Sequence, residues 1–498
     1  MRTPLQLPPG IVADDTDYAT GGWKDASNVR FWRGLPEVIK GWERLTTELL
    51  TGVCRTVFAW KDGDNLQTIA FGLHNGLQVW QAGELADITP AVGFTDGQID
   101  GTGGAGYGTG AYGVGGYGEP SSTDYFPLTW SFGARSFGEL YANPRGQGVF
   151  VWNNVTATPA ALLTNAPAEC NFVAVAWTDQ VMAFGCTDVG GQFNAACIRT
   201  SDPLDPTKWT PGTATISQQY YLKGNGRIVG AYPAGRYFFV WTDSELHLGS
   251  FDGTGWSFEP VEIGCGLAGP NAAIVIGQTA YWISPDHQLW ACSVGGSPTI
   301  LPCPIRDEFA DNVAPGQDDK IYAAYVSERG EIVWGYADNR DGFEVSRQLR
   351  LSVIDGAWSR SLQARTALCG ASPSPVGVTL DGAVYWHERG ASADGAPLEA
   401  FIESGGQYFD PGERVMLVRG FYPDFRDQTG PIWFTVWTKM EAQDVWTEAF
   451  SGVCAPGQLK LDFFATGRIV KYRLASNSSP AAWRMGKPTF DVVPVGQR

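Results

Sequence analysis

The chain predicts an all-β fold, and three observations predict it. Ten separate Asp-Gly or Asn-Gly dipeptides punctuate its 498 residues, from Asp62-Gly63 through Asn225-Gly226 and Asp252-Gly253 to Asp381-Gly382 and Asp394-Gly395. Asp and Asn tolerate positive φ and Gly adopts it freely, so these pairs fit the tight turns whose twist matches two antiparallel strands. Short apolar, aromatic-rich runs flank many of them. Gly 63 and Pro 31 together make about a fifth of the chain, above the ~12% of average usage but short of the ~25–30% of disordered sequence. The length also exceeds the roughly 250–300 residues that one hydrophobic core supports. A modular array whose units each own a core meets that limit, so the prediction is a β-propeller platform with an N-terminal extended arm and a C-terminal β-sandwich-like domain.

Residues 1–50 form the arm and first strands. Leu7-Pro8-Pro9-Gly10, followed by Asp14, Asp15 and Asp17, shows neither helical nor strand periodicity and reads as an extended segment that packs on something else. Trp23 to Trp32 alternates aromatic with polar and basic residues, as in a strand with one buried face. Residues 51–397 form the hairpin array. It begins with Val57–Trp60, Thr68–Phe71 and Leu77–Trp80, and is interrupted at 93–122 by a Gly/Tyr-rich stretch, without an aliphatic run, that reads as an inserted loop. It resumes at Trp130 and continues through Val149–Trp152, Phe172–Trp177, Val181–Phe184 and Tyr237–Trp241. Four short strands lie within about thirty residues between Ala272 and Leu301, the content of one blade. Spacing between units drifts and no sharp signature repeats, so the blade number stays open. Residues 398–498 carry longer strands, among them Val415–Tyr422, Pro431–Trp437 and Ile469–Leu474, where Val470, Tyr472 and Leu474 alternate with Lys471 and Arg473. That alternation suits a sheet with one wet face.

The 20 Trp residues are too many to leave in water, and they pack against sheets or against neighbouring chains. Lys plus Arg is 35 and Asp plus Glu is 52, a formal charge of −17 that argues against tight binding of a phosphate backbone. The acidity either keeps a large surface soluble or repels a passing polyanion. The nine cysteines are scattered, odd in number and without a Cys-x-x-Cys pair, as expected of free, mostly buried thiols made in a reducing cytoplasm. Met1 to Gly10 has no apolar signal region, and no apolar stretch reaches the ~18–20 residues of a membrane span.

The chemistry-bearing residues are few. The four histidines, His74, His247, His287 and His387, have no zinc-binding spacing and read as turn or surface residues. Gly101-Thr102-Gly103-Gly104-Ala105-Gly106 matches G-x-G-x-x-G in form, but a Gly/Tyr tract follows where dinucleotide binding needs a helix. Ser250-Phe251-Asp252-Gly253-Thr254-Gly255-Trp256 approaches the sialidase-type Asp-box with its glycine and tryptophan out of register, and reads as a hairpin turn beside a packing Trp. No Gly-x-Ser-x-Gly elbow or Walker loop is present. The catalytic, cofactor-binding and metal-binding sets are therefore all none, no cofactor is expected, and the chain does not read as an enzyme. The rival reading is an enzyme or lectin, a propeller that binds or hydrolyses surface glycan with carboxylates and Trp rings at its axial mouth.

Four stretches carry a resemblance. The opening, Leu7-Pro8-Pro9-Gly10 through Asn28-Val29-Arg30-Phe31 and Gly34-Leu35-Pro36-Glu37 to Gly41-Trp42, resembles the start of a family of phage tail proteins. Trp130-Ser131-Phe132-Gly133 with Phe137-Gly138-Glu139-Leu140, Asn143-Pro144-Arg145-Gly146 and Val151-Trp152 is similar to the family's segment entering a blade. Ile198-Arg199-Thr200-Ser201-Asp202 with Trp209-Thr210-Pro211 resembles the next, and Gly226-Arg227-Ile228-Val229-Gly230 to Trp241-Thr242-Asp243 with Phe258 and Ile263-Gly264 a third. The family is the nozzle, also called the tail tubular protein B or packaged-DNA stabilisation group, of short-tailed bacteriophages. The resemblance implies a structural virion protein assembled in the host cytoplasm, one subunit of a homohexameric ring at the distal end of the tail. It implies a tail adaptor or tail-tube protein above the ring, contacts with tail fibres or a tail needle, and viral DNA passing through with weak, non-specific contact. Six such subunits carry about −100 of charge, which lets DNA slide. The arm fits an exchange contact with a neighbouring subunit.

Overall fold

The computed structural model describes residues 2–16, 21–61, 65–101, 126–224, 226–371, 373–409 and 414–497. Most of the Gly/Tyr-rich loop and the G-x-G-x-x-G match thus lie outside the described residues.

Seven four-stranded antiparallel sheets among the described residues follow one another along the chain. The first runs through Cys54–Lys61, Gln67–Leu73, Gly76–Gln81 and Glu84–Asp87, and the sixth through Tyr322–Val326, Glu331–Ala337, Val345–Ser352 and Trp358–Leu362. The first strand of each sheet packs beside the first strand of the next, and Ala367–Cys369 of the seventh packs back on Cys54–Lys61. That cycle closes a seven-bladed β-propeller. The seventh blade takes Ala367–Cys369, Val376–Val378 and Val384–His387 from the end of the array, and its outermost strand is Trp42–Arg44, with Trp42 opposite His387. A strand from before the first blade therefore shuts the ring, which removes the free edges of an open array.

Two of the predicted turns show their chemistry clearly, whereas Asp62-Gly63 and Asn225 lie outside the described residues. Asp252-Gly253 joins two strands of the fourth blade with Gly253 at φ 99°, and Asp394 and Gly395, at φ 52° and 83°, make a turn with both central residues left-handed. Tryptophans join the blades as well as filling them. Trp130 of the second blade is buried and its indole N–H donates to the Leu73 carbonyl of the first at 2.8 Å, while Trp60 of the first donates to Gly138 at 3.0 Å. Trp256 of the fourth reaches Gln180 of the third at 3.1 Å. Each ring contributes buried area, worth about 1.5–3 kcal/mol for a large apolar side chain, with its polar N–H satisfied.

The two chain ends together build the remaining structure. The expected boundary between an arm at 1–50 and a terminal domain at 398–498 gives way here, because strands from both segments share sheets. Arg2–Pro4 pairs with Thr489–Gln497, and Trp23–Ser27 pairs with Leu398–Ser404. Val29–Trp32 and Leu35–Val38 pair with each other and, through Glu37 opposite Arg484, with Ala482–Met485. The single strand expected over 23–32 is broken because Asn28 stands at φ 55° and its side-chain amide donates to the Glu399 carbonyl at 2.8 Å, sending the chain into another sheet. The opening segment packs on its own chain. Leu7 and Ile11 are buried, Ile11 N–H donates to the Trp358 carbonyl at 2.9 Å, and both side chains join one core that unites the composite domain with the fourth to sixth blades.

Gly41 shows how closely the closing strand is seated. A Cβ there would run into the backbone of Ser392, which cannot move aside as a side-chain tip could. Gly41→Ala is expected to cost at least the ~1–3 kcal/mol of ordinary overpacking, read as a lowered unfolding midpoint. An unchanged midpoint would show that the closing strand carries no weight.

Candidate functional site

The seven inner strands surround an axial cavity of about 460 Å³. Its walls are made of small and apolar side chains, among them Val57, Ala59, Phe132, Phe172, Val175 and Ile274. Among the described residues no Asp or Glu lines it, and the charged lining residue is Arg55. That guanidinium is occupied: it donates to Glu344 at 2.5 and 2.8 Å and to the Ile99 carbonyl at 2.7 Å. Burial works to raise the Glu344 carboxyl, but the hydrogen bonds and charge of Arg55, with Lys320 nearby, hold it below the usual carboxylate range. Lys320 is 3.0 Å from Asp100, and Arg145 is 2.7 Å from Asp319. Among the described residues the charges around this mouth are thus neutralised in pairs.

A second concentration of charge lies at the seam where the composite domain meets the sixth and seventh blades. Arg30 sits between Glu331, at 3.4 Å, and Glu388, which it contacts closely. Arg350 reaches Glu331 at 2.8 Å and Gln348 at 2.7 Å. Burial opposes the Arg30 charge, and the two carboxylates more than offset it, so its pKa is raised. Beside them Arg365 Nε donates to His387 Nε2 at 2.9 Å. Burial, then Arg365 and Arg350, push the His387 pKa well down, so the ring is neutral. With Nε2 accepting, the His387 proton is assigned to Nδ1.

The four histidines part company in the structure. His74 lies at a hairpin end and accepts from Val53 N–H through Nδ1 at 3.0 Å, and His287 stands in a turn at φ 58°, 2.9 Å from Asp318. His247 and His387 depart from the turn-or-surface expectation: both are buried on strands, because each has a polar partner, Glu245 and Arg365, to accompany it inward. Glu245 stands two residues from His247 on the same strand, whereas Arg365 is 22 residues from His387 and meets it only in the folded seventh blade. In the Asp-box-like stretch Asp252 Oδ1 accepts from Thr254 and Gly255 N–H at 2.8 and 2.9 Å, while Trp256 is buried. It is a hairpin turn beside a packing Trp. Among the described residues no group of three His, Cys, Asp or Glu is placed to hold a metal, and no helix is long and apolar enough to cross a membrane. All nine cysteines are free thiols.

No protein-family model matches the chain. No curated protein matches it either. Among solved structures it is similar to the crystal structure of the Cps50 (Swd1) β-propeller domain of Myceliophteria thermophila, at 9% identity and a TM-score of 0.40, covering 70% of this chain and 99% of that one. The blade count given above rests on strand pairing within this chain.

Proposed function

We propose that the chain is a structural subunit of the ring, or nozzle, at the distal end of a short phage tail, which extends the DNA channel, helps retain the packaged genome and opens for its ejection. The observation that carries this reading is the position of the motif that resembles that family. Its residues are the ones that join the parts: Leu7 is in the shared core, Asn28 turns the chain between sheets, Arg30 fills the buried seam, Glu37 reaches Arg329 and Arg484, and Trp42 lies in the closing strand. A motif spent on joints suits a building block. The axial cavity supports the same reading, since a propeller glycosidase acting through a carboxylate pair needs it there and the described lining residues include none.

The cavity also bears on where DNA would run. A space of about 460 Å³ is the size of a small-molecule pocket, ~300–1,000 Å³, and far too small for a DNA duplex, so on this reading the conduit lies between subunits. Leu459 and Phe464, 86% and 75% exposed on the composite domain, suit burial against a neighbouring copy. Electron microscopy of the purified chain and of virions tests the proposal: six copies around a channel at the tail tip are expected. A chain that stays monomeric and is absent from particles would sink it.

One observation favours a glycan-binding reading. Trp433 and Trp437 alternate with buried residues on one strand and so share its outer face, with Lys471 over the Trp437 ring at 4.9 Å. If that face binds surface polysaccharide, Trp433→Ala weakens host adsorption while particle assembly is unchanged. Under the nozzle reading adsorption is unaffected.

A further inference from the structure

The seam between the sixth and seventh blades does not balance its charge. Arg30, Arg350 and Arg365 are 1%, 3% and 5% exposed, and the two carboxylates among them, Glu331 and Glu388, are 3% and 8% exposed. Three buried guanidinium groups face two buried carboxylates, since Glu37, which also acts on Arg30, is paired with Arg329 and Arg484, and His387 adds no charge. The excess positive charge falls on Arg365. Glu331 and Glu388 are taken by Arg350 and Arg30, and among the described residues Arg365 has no ion pair. Its hydrogen bonds go to neutral acceptors, His387 Nε2 and the Ala364 carbonyl, each at 2.9 Å, and Nη2 has no acceptor. Nearby, the buried Nε of Arg350 has none either.

The groups around Arg365 come from every element packed on it. Trp42 of the closing strand and Tyr385 of the seventh blade place their rings 4.9 and 5.0 Å from its guanidinium carbon. The sixth blade brings Tyr322, whose hydroxyl accepts from Gln348, and Arg350. None of these is an anion at neutral pH; the one carboxylate whose charge acts on Arg365, Asp381, lies in an exposed turn, is bonded to Thr379 and makes no ion pair with it. Burial lowers the affinity of Arg365 for its proton but leaves it cationic there. A buried cation without a counter-charge is strongly disfavoured, and open donors around it are what an anion needs.

We propose that the closure seam holds one monovalent inorganic anion of the halide class against Arg365. One excess charge calls for a monovalent ion, and a seam closed to solvent calls for a small one. The site touches the strand that shuts the ring, so the bound ion strengthens closure.

The unaltered full chain is compared in sodium chloride, sodium bromide and sodium gluconate at matched ionic strength. A saturable rise of several degrees in the unfolding midpoint is expected with the halides and not with gluconate. Crystals grown in bromide are expected to show an anomalous peak beside Arg365, a readout that needs no variant. Arg365→Gln removes the excess charge and is expected to abolish both the peak and the halide-specific rise. An equal, unsaturating response to all three salts would mean screening alone. That response, or a water only at Arg365 in bromide-grown crystals, overturns the proposal.

Discussion

Arg30→Ala is expected to lower stability by about 3–5 kcal/mol, the cost of stranding a buried charge. Glu388 depends on Arg30 alone among the ion pairs seen, whereas Glu331 keeps Arg350 at 2.8 Å. Removing the guanidinium therefore leaves one carboxylate, 8% exposed, with no cation. The penalty belongs to the orphan and not to the pair, so a double variant, Arg30→Met with Glu388→Leu, should recover a large part of the loss. Urea unfolding followed by tryptophan fluorescence reads both. A single variant within about 1 kcal/mol of the parent would mean that water reaches the seam and screens it.

Phe434→Ala is expected to cost a similar ~3–5 kcal/mol, as large-to-small changes of buried aromatics do. Its ring stacks on Phe421 at 4.2 Å and lies 5.6 Å from Phe463 and 6.3 Å from Phe490, all from one sheet of the composite domain. From its own sheet Tyr472 stands 6.1 Å away and Phe450 6.4 Å. The ring is thus the bolt between two sheets, and nothing adjacent is free to collapse into the gap. Differential scanning calorimetry should show a lowered first transition, and limited proteolysis should cut first within residues 398–498. Loss confined to a few tenths of a kcal/mol would indicate that the two sheets are held from elsewhere.

The hairpins were legible because their signals are local. Asp252-Gly253, Asp286-His287 and Asp381-Gly382 each carry their turn in two residues, and the inner strands beside them alternate or run apolar because they are buried. Outer strands such as Gln218–Tyr221 and Trp256–Ile263 are largely wet, so no burial pattern announces them. Joints were illegible for a different reason. Trp42–Arg44 is three residues long and finds its sheet only through a partner far along the chain. Arg30 looked like one more polar residue in an alternating strand, since the acids that receive it are contributed by two blades. His387 was hidden in the same way, its partner Arg365 standing 22 residues away. Local chemistry encodes turns and strand faces, and long-range charge matching leaves no mark on either partner alone.

Ring closure by an early strand has a consequence for synthesis. Arg30 and Glu388 stand 358 residues apart, and a ribosome adds ~5–20 residues per second, so the closing segment emerges on the order of tens of seconds before its receptor blade exists. Through that interval the strands of Trp23 and Trp42 have no partner strand to pair with. The nascent chain must either shelter these aromatics on early blades or lend them to a chaperone, and slowing elongation should lengthen that vulnerable window in proportion.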